Sequence, residues 1–117
     1  ELILDHLNTL LNNFFFFFMN FSSKVYKLCQ LIPAGNISTY KILADKLKIP
    51  PRAIAQILKH NPEPIKTPCH RIIASNGYIS GYFGKNIEQK IKLLEKEGIR
   101  IRNNKIINFK DLFYKFK

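Results

Sequence analysis

Acidic residues and cysteines are scarce in this 117-residue chain. Eight Asp and Glu face nineteen Lys and Arg, so the formal net charge is +11 and the sequence pI is about 9.8. That surplus favours an anionic partner such as nucleic acid, although the abundance of Lys, Ile and Asn throughout leaves a purely compositional origin open. Cys29 and Cys69 are too few for a disulfide framework, which fits a reducing, intracellular compartment. Together with three histidines they show no metal-ligand spacing, so we expect neither a metal nor another cofactor.

A long uninterrupted hydrophobic run is also missing. A membrane span needs about 20 consecutive apolar residues, and a secretory signal begins with a basic segment. No basic segment precedes the apolar N-terminal stretch, and polar or charged side chains interrupt it at Asp5, His6, Asn8, Asn12 and Asn13. We therefore expect neither a signal peptide nor a membrane partner.

Residues 1–20 are predicted to form an appendage ahead of a single domain at residues 21–117, since the length of the chain suits one domain. Leucines at roughly helical spacing indicate a helix over residues 2–11, which the Asn12-Asn13 pair would end.

The five phenylalanines of residues 14–18 are typical of a buried strand, and we expect them to pack beneath the helices that follow. Ser22-Ser23 would then cap a new helix, with Phe21 placed for a hydrophobic staple. This helix is predicted to run to about residue 31 and to bury Cys29 as a packing residue.

Two short amphipathic helices come next, separated by a tight turn. Ser38 or Thr39 would cap the first, whose apolar stripe follows helical spacing at Tyr40, Leu43, Ala44 and Leu47. Pro51 suits the first position of the second helix, over residues 51–60. That helix has a buried stripe (Ile54, Ile57, Leu58) and a basic face centred on a small residue (Arg52, Ala55, Gln56, Lys59). Such a pair is typical of a helix-turn-helix.

The segment Thr67-Pro68-Cys69-His70-Arg71 is the candidate reactive centre. A proline constrains the backbone before the cysteine, and an imidazole can supply the base or the positive field that a thiolate needs. Side chains of consecutive residues in an extended segment point to opposite sides, so His70 would reach the sulfur through a bent backbone or a water. Taken alone, a cysteine beside a histidine is more often structural than catalytic.

The C-terminal third offers two further features of interest. An aromatic, glycine-containing loop over residues 78–84 could close over a planar ligand or form a surface hairpin. A final helix from residue 86 would bury Ile87, Ile91 and Leu94 and end at Gly98. Glu97 lies at the border of that stripe, where it would either point inward to a histidine or remain solvated. The tail is expected to pack through Ile106, Ile107, Phe109, Leu112 and Phe113.

Four segments taken in order resemble one family of DNA-repair proteins: Arg52-Ala53-Ile54, Asn61-Pro62, Pro68-Cys69-His70-Arg71-Ile72 and Glu97-Gly98. The family is that of the alkylguanine-DNA alkyltransferases, also called methylated-DNA–protein-cysteine methyltransferases, and the resemblance covers about residues 21–98. It implies a mainly α, winged-helix-like helix-turn-helix domain, the C-terminal domain of the family. The preceding residues would be a short helix and strand remnant of its α/β domain.

The resemblance also implies the chemistry. A methyl or other alkyl group would pass irreversibly from the 6-oxygen of guanine in DNA to Cys69, once per protein molecule. His70 would act as general base through a water, and Glu97 would hold the imidazole in the right tautomer. Tyr40 would donate a hydrogen bond to the departing guanine.

Double-stranded DNA containing alkylated guanine is the implied partner, bound in the minor groove by a monomer in the cytoplasm, nucleoid or nucleus. The damaged nucleotide would be flipped out, with Arg52 filling the vacated place in the stack. The implied DNA-binding residues are Thr39, Arg52, Ala53, Ala55, Gln56 and Lys59. The implied substrate pocket is made by Asn61, Pro64, Ile72, Tyr82 and Gly84.

Three other functions compete with alkyl transfer. An alkyltransferase-like damage sensor would bind alkylguanine without transfer, but such proteins lack the cysteine that is present here at position 69. A winged-helix regulator with a structural Cys69 would bind specific sequences in the major groove. A thiol hydrolase would turn over many times, yet no oxyanion-hole motif supports it.

Overall fold

Helices dominate the computed structural model, which describes residues 2–64, 66–79 and 87–117, without the side chains of residues 2–8, 10, 11 and 14. The predicted mainly α class is confirmed. The helices are α1 (Leu2–Leu31), α2 (Tyr40–Leu47), α3 (Pro51–Lys59) and α4 (Ile87–Lys96), with 3-10 helices at Cys69–Arg71 and Phe109–Leu112. The strands are two residues long: β1 (Ser38–Thr39), β2 (Ile72–Ile73), β3 (Ile101–Arg102) and β4 (Lys105–Ile106).

The N-terminal 30 residues form one continuous helix, so the predicted helix end at Asn12-Asn13 and the predicted cap at Ser22-Ser23 are wrong. Neither Gly nor Pro occurs before Pro33, and an internal Asn or Ser costs a helix only a fraction of a kcal/mol. The proposed boundary between residues 20 and 21 lies inside this helix and stays a prediction. In the described part of the chain, no helix is long and apolar enough to cross a membrane.

The phenylalanine run is helical rather than a strand, and it is only partly covered. Successive residues of a helix point about 100° apart, so a single neighbouring surface can bury only some of five consecutive side chains. Phe17 and Phe18 pack against the core, whereas Phe15 and Phe16 remain 60% and 64% exposed. The expectation that the whole run is buried is therefore wrong.

The helix-turn-helix is present as predicted. Thr39 caps α2, because its side chain accepts a hydrogen bond from the backbone N–H of Ile42 at 3.0 Å. Lys48, with φ of 59°, ends α2 in the left-handed conformation, and Pro51 occupies the first turn of α3. The predicted apolar stripe of α3 is buried, and α3 packs on both α1 and α2.

A short parallel ladder joins the start of the helix-turn-helix to the Cys-His segment. Ser38 lies opposite Ile72 and Thr39 opposite Ile73 in the β1–β2 pair. Because α2 begins directly after β1, and the 3-10 helix of Cys69 ends directly before β2, this ladder fixes Tyr40 and Cys69 relative to each other.

The C-terminal tail holds β1 on its other side. The N–H of Ile37 donates to the carbonyl of Leu112 at 3.0 Å, and the N–H of Tyr114 donates back to the carbonyl of Ile37 at 2.9 Å. The Asn36 side chain adds a hydrogen bond to the same Leu112 carbonyl at 3.0 Å. The tail thus acts as a further strand-like edge for the frame that carries the Cys-His segment.

A β3–β4 hairpin forms the middle of the tail and packs beneath the turn at residues 75–77. Asn103 and Asn104 turn this hairpin with φ of 51° and 62°, as a type I′ turn requires. Four of the expected packing points, Ile106, Phe109, Leu112 and Phe113, are buried or half-buried in the second core cluster. Ile107 is 38% exposed, so that expectation is wrong.

We predict that Gly77→Ala destabilises the fold more than Gly98→Ala. Both glycines have φ of 88°, so each substitution forces an alanine into the left-handed region, at a cost of about 1 kcal/mol. At Gly77 the added Cβ would also lie 2.5 Å from the Phe109 ring, while at Gly98 it meets nothing within 4 Å. Urea unfolding of the two variants measures the difference, and equal losses would refute the packing of Phe109 on this turn.

Candidate active site

Cys69 lies at the start of a 3-10 helix rather than in the extended segment expected from sequence. Its N–H donates to the carbonyl of Thr67 at 2.8 Å, and the N–H of Arg71 donates to the carbonyl of Pro68 at 3.0 Å. Consecutive side chains on a 3-10 helix diverge by about 120° instead of pointing in opposite directions. The thiol is shielded from bulk solvent, with Cys69 3% exposed.

The other cysteine is not a competing nucleophile. Cys29 is fully buried on α1, as predicted for a packing residue. Burial raises the pKa of its thiol to about 12, and the sulfur of Cys69 adds to the increase. Because the thiolate is the reactive form, Cys29 stays inert at neutral pH.

His70 has its two ring nitrogens in different environments. Nε2 lies 2.9 Å from Oε2 of Glu97, while the buried Nδ1 has no hydrogen-bond partner among the described residues. A carboxylate can only accept, so Nε2 carries the proton and Nδ1 presents a lone pair. Burial lowers the pKa of the imidazole, against the opposing effect of the Glu97 carboxylate. His70 is therefore neutral at pH 7 and able to accept a proton at Nδ1.

The inward orientation of Glu97 is confirmed, and the carboxylate has two partners rather than one. Arg71 donates two hydrogen bonds to the carboxylate, from Nη2 to Oε2 at 2.6 Å and from Nε to Oε1 at 2.9 Å. Its Nη1 donates to the carbonyl of Ile32 at 2.7 Å. Burial raises the pKa of Glu97, but hydrogen bonds from Arg71 and His70 outweigh it and hold the pKa below its ordinary value. Glu97 is thus ionised when it meets His70.

Sequence reasoning missed the part played by Arg71, which was noted only as a neighbour of the Cys-His pair. Its guanidinium links the end of α1, through Ile32, to the end of α4, through Glu97. Fork-like pairing of a guanidinium with a carboxylate fixes both position and charge. No local sequence signal indicates that partner, since 26 residues separate the two side chains.

Sequence reasoning also missed a buried lysine on α4. Lys90 is 1% exposed, and its ammonium donates to the carbonyl of Ile72 at 2.6 Å and lies 5.7 Å from the centre of the Tyr40 ring. Burial lowers the pKa of Lys90 to about 8, while the sulfur of Cys69 favours the charged form. Helical spacing could have found it, because Lys90 follows Ile87 by three residues and precedes Leu94 by four.

Tyr40 opens α2 beside the same sulfur. Burial raises the pKa of its hydroxyl to about 12, and the sulfurs of Cys69 and Cys29 push it in the same direction. The hydroxyl is consequently protonated at neutral pH and available as a hydrogen-bond donor.

Asn61 supports the segment that leads into Cys69. Its Nδ2 donates to the carbonyl of Thr67 at 2.8 Å, and its Oδ1 accepts from the N–H of Glu63 at 3.0 Å. Gln30 of α1 reaches the same point, donating from Nε2 to Oγ1 of Thr67 at 2.9 Å. The backbone immediately before the cysteine is therefore held from two directions.

The remaining expected pocket residues differ in placement. Pro64 is half-buried, and Ile72 is fully buried with its N–H donating to the carbonyl of Cys69 and its own carbonyl accepting from Lys90. The N–H of Ile72 is thus engaged within the protein. Tyr82 and Gly84 lie outside the described residues.

The exposed face of α3 carries most of the predicted DNA-binding residues. Arg52, Ala55, Gln56 and Lys59 are exposed, and Ala53 is half-buried at the edge of this face. Thr39 does not fit the expectation, because it is 2% exposed and its hydroxyl is occupied by the cap of α2. Among residues 2–64, 66–79 and 87–117, no group of three or more His, Cys, Asp or Glu side chains could hold a metal ion.

Two curated relatives are similar to this chain in sequence. The methylated-DNA–protein-cysteine methyltransferase of Sulfolobus acidocaldarius is 45% identical over 85 residues, covering 73% of this chain and 54% of the relative. That of Thermococcus kodakarensis is 43% identical over 81 residues, covering 68% and 45%. The chain spans about half the length of the curated relatives it matches.

Solved structures of two proteins are similar to this chain in both fold and sequence. Schizosaccharomyces pombe Atl1, in complex with damaged DNA containing O6-carboxymethylguanine, matches with a TM-score of 0.71 and 32% identity over 82% of this chain and 95% of Atl1. The O6-methylguanine-DNA methyltransferase of Pyrococcus kodakaraensis matches with a TM-score of 0.61 and 44% identity over 68% of this chain and 46% of that one. A family model described as the DNA-binding domain of 6-O-methylguanine DNA methyltransferase matches residues 20–99. The chain therefore belongs to the O6-methylguanine-DNA methyltransferase family, with its match in the DNA-binding domain.

Proposed function

We propose that this chain repairs DNA by transferring a methyl or other alkyl group from the 6-oxygen of guanine to Cys69, once per molecule. The observation that carries the proposal is the His70–Glu97 contact of 2.9 Å. It leaves Nδ1 of His70, the residue that follows Cys69 in sequence, buried and without a hydrogen-bond partner among the described residues. A thiol needs such a base to become a nucleophile at neutral pH. The partner is duplex DNA, and the reaction takes place in the cytoplasm, nucleoid or nucleus that holds it.

The proton leaves the thiol first. Nδ1 of His70 accepts it through a bridging water, and the ionised Glu97 stabilises the imidazolium that results. The Lys90 ammonium, which is favoured by the nearby sulfur, stabilises the thiolate in a site where burial strengthens electrostatic attraction.

Alkyl transfer then forms one bond and breaks another. The sulfur of Cys69 attacks the alkyl carbon, the S–C bond forms, and the bond between that carbon and the 6-oxygen of guanine breaks. Guanine leaves as an anion, and the hydroxyl of Tyr40 donates a hydrogen bond to its ring. The thioether has no leaving group that water can displace, so each molecule reacts once.

DNA reaches the sulfur only if the damaged nucleotide leaves the duplex, because a base inside the stack cannot meet Cys69. The exposed face of α3 is the proposed contact, lying in the minor groove with Arg52 in the place of the extruded base. Small Ala55 at the centre of the face allows close approach, and Lys59 supplies phosphate attraction that is independent of sequence. A monomer provides all of these groups.

A second candidate is a damage sensor that binds alkylated DNA without transfer. The match to Atl1 favours it, since the similarity extends over 95% of that chain and its structure contains damaged DNA. The two functions differ in one observable, the covalent state of Cys69 after exposure to alkylguanine.

Incubation with a duplex that contains O6-methylguanine is expected to add one methyl group to Cys69, in proportion to the protein present. Intact mass and peptide mapping measure the modification. Cys69→Ala should gain no methyl group while keeping its affinity for the duplex, and Cys29→Ala should still be methylated at Cys69. Retained binding by the unsubstituted protein with no added mass would replace the proposal with the damage-sensor function.

Lys90→Met is expected to slow the reaction with free benzylguanine about tenfold at pH 7, because removing the ammonium leaves the Cys69 thiolate without the positive charge that stabilises it. The rate should recover as the pH is raised. Lys92→Met, an exposed change on the same helix, is the matched control and should react like the unsubstituted protein. A pH-independent loss in Lys90→Met would assign the lysine a packing role instead.

Arg52→Ala should slow repair of a duplex at least about tenfold and leave the rate with free benzylguanine within about twofold, since only the duplex has a base to replace. Single-turnover rates at saturating substrate separate this effect from affinity. Lys59→Ala is expected to weaken salt-dependent binding and to leave the saturated rate unchanged. Equal losses of Arg52→Ala on both substrates would contradict the stack-filling role.

A further inference from the structure

An apolar groove lies between α1 and α3, immediately beside the exposed face of α3. It encloses about 250 Å³, and carbon atoms of both helices line it. Phe17 and Phe18 form the α1 wall, while Arg52, Ala53 and Gln56 contribute to the α3 wall. The family model begins at residue 20, so the two phenylalanines lie outside the matched segment.

The groove is held in place by contacts between α1 and α3 and within α1. The ring of Phe18 meets the ring of His60, at the end of α3, edge-on with centres 5.8 Å apart. The Tyr26 hydroxyl donates to the carbonyl of Ile57 at 3.0 Å, further along the same pair of helices. Phe17 is fixed by the ring of Phe21, with centres 4.9 Å apart. The groove is therefore part of the packed α1–α3 interface.

We propose that this groove binds the deoxyribose face of a DNA strand and so extends the α3 interface onto α1, an inference that rests on the proposed function. The argument is continuity with the proposed DNA contact, since Arg52, Ala53 and Gln56 belong both to the groove and to the predicted DNA-binding set. Deoxyribose presents carbon to a minor-groove binder, and apolar side chains commonly contact DNA there.

Charge favours DNA over a second copy of the chain as the occupant. Among the described residues, none that lines the groove is acidic. Arg52 lies in its wall, and exposed Lys59 follows on α3. A phosphate backbone beside the sugar satisfies these cations. Two copies meeting at this surface would instead bring together cationic surfaces of chains that each carry a net charge of +11.

The test compares opposite charges at two adjacent phenylalanines. Phe17→Glu and Phe17→Lys alter the groove, whereas Phe16→Glu and Phe16→Lys make the same changes at a neighbouring, 64% exposed position outside it. Affinity for an unmodified duplex is measured by fluorescence anisotropy at low salt. We expect Phe17→Glu to weaken binding about fivefold more than Phe16→Glu, and Phe17→Lys to bind at least as tightly as the unsubstituted protein.

Glu and Lys disturb apolar packing alike, so the sign of the charge separates a DNA contact from a loss of packing. Equal weakening by Phe17→Glu and Phe17→Lys, or equal effects at positions 16 and 17, would overturn the proposal. The reaction with free benzylguanine should stay within about twofold in all four variants, because that substrate does not need the groove.

A second measurement keeps the aromatic ring and therefore the packing. The photoreactive p-benzoylphenylalanine, introduced in place of Phe17 or of Phe16, is irradiated in the presence of the duplex. Cross-linking to DNA from position 17 well above that from position 16 supports the proposal. Cross-linking from position 17 to a second copy, or equal yields at the two positions, would overturn it.

Binding by the α3 variants separates a failure of the groove proposal from a failure of the proposed function. If Arg52→Ala and Lys59→Ala bind the duplex as tightly as the unsubstituted protein, the α3 contact itself fails and the groove proposal fails with it. If binding depends on Arg52 and Lys59 but not on the charge at position 17, only the groove proposal fails.

Discussion

The carboxylate of Glu97 is the junction on which the candidate site depends. It joins His70 at 2.9 Å and Arg71 at 2.6 Å, and Arg71 continues to the carbonyl of Ile32 at the end of α1. One partly buried charge thus sets the tautomer of the imidazole and ties together three segments that are distant in the chain. Loss of the carboxylate would leave a partly buried guanidinium without its counter-charge, which costs more than an exposed ion pair contributes. Stability and chemistry here share the same contacts.

Burial acts on each ionisable group around Cys69 according to its charge type. It lowers the pKa of His70 and of Lys90, and it raises the pKa of Tyr40 and of Cys29. The result is a neutral base, a protonated phenol and an inert second thiol around one sulfur. For Lys90, the Cys69 sulfur opposes the effect of burial on the pKa and so favours the charged ammonium. A low-dielectric site therefore assigns different roles to these groups.

Local signals explain which parts of the structure could be predicted from sequence. The Thr39 cap and Pro51 at the start of α3 depend on neighbours within one or two turns, and both predictions are confirmed. The border position of Glu97 left an inward and a solvated orientation open, and the structure has the inward one. The predicted helix end at Asn12-Asn13 failed because no Gly or Pro occurs there, and the weak unfavourable propensity of Asn does not end a helix by itself. The Arg71–Glu97 fork joins residues 26 apart, which no local pattern encodes. The Cys69, Tyr40 and Glu97 roles came from family resemblance and stay predictions.

The frame of the site extends beyond the segment that the family model matches. Residues 20–99 contain Cys69, His70 and Glu97, yet β1, which leads into Tyr40, is hydrogen-bonded to Leu112 and Tyr114 of the tail through Ile37. Phe109 packs against Gly77 in the turn that precedes the aromatic loop. Because a two-residue parallel ladder offers few hydrogen bonds of its own, the tail supplies the second edge that keeps Tyr40 in register with Cys69. The tail is therefore part of the architecture of the site, although no residue with a proposed chemical role lies in it.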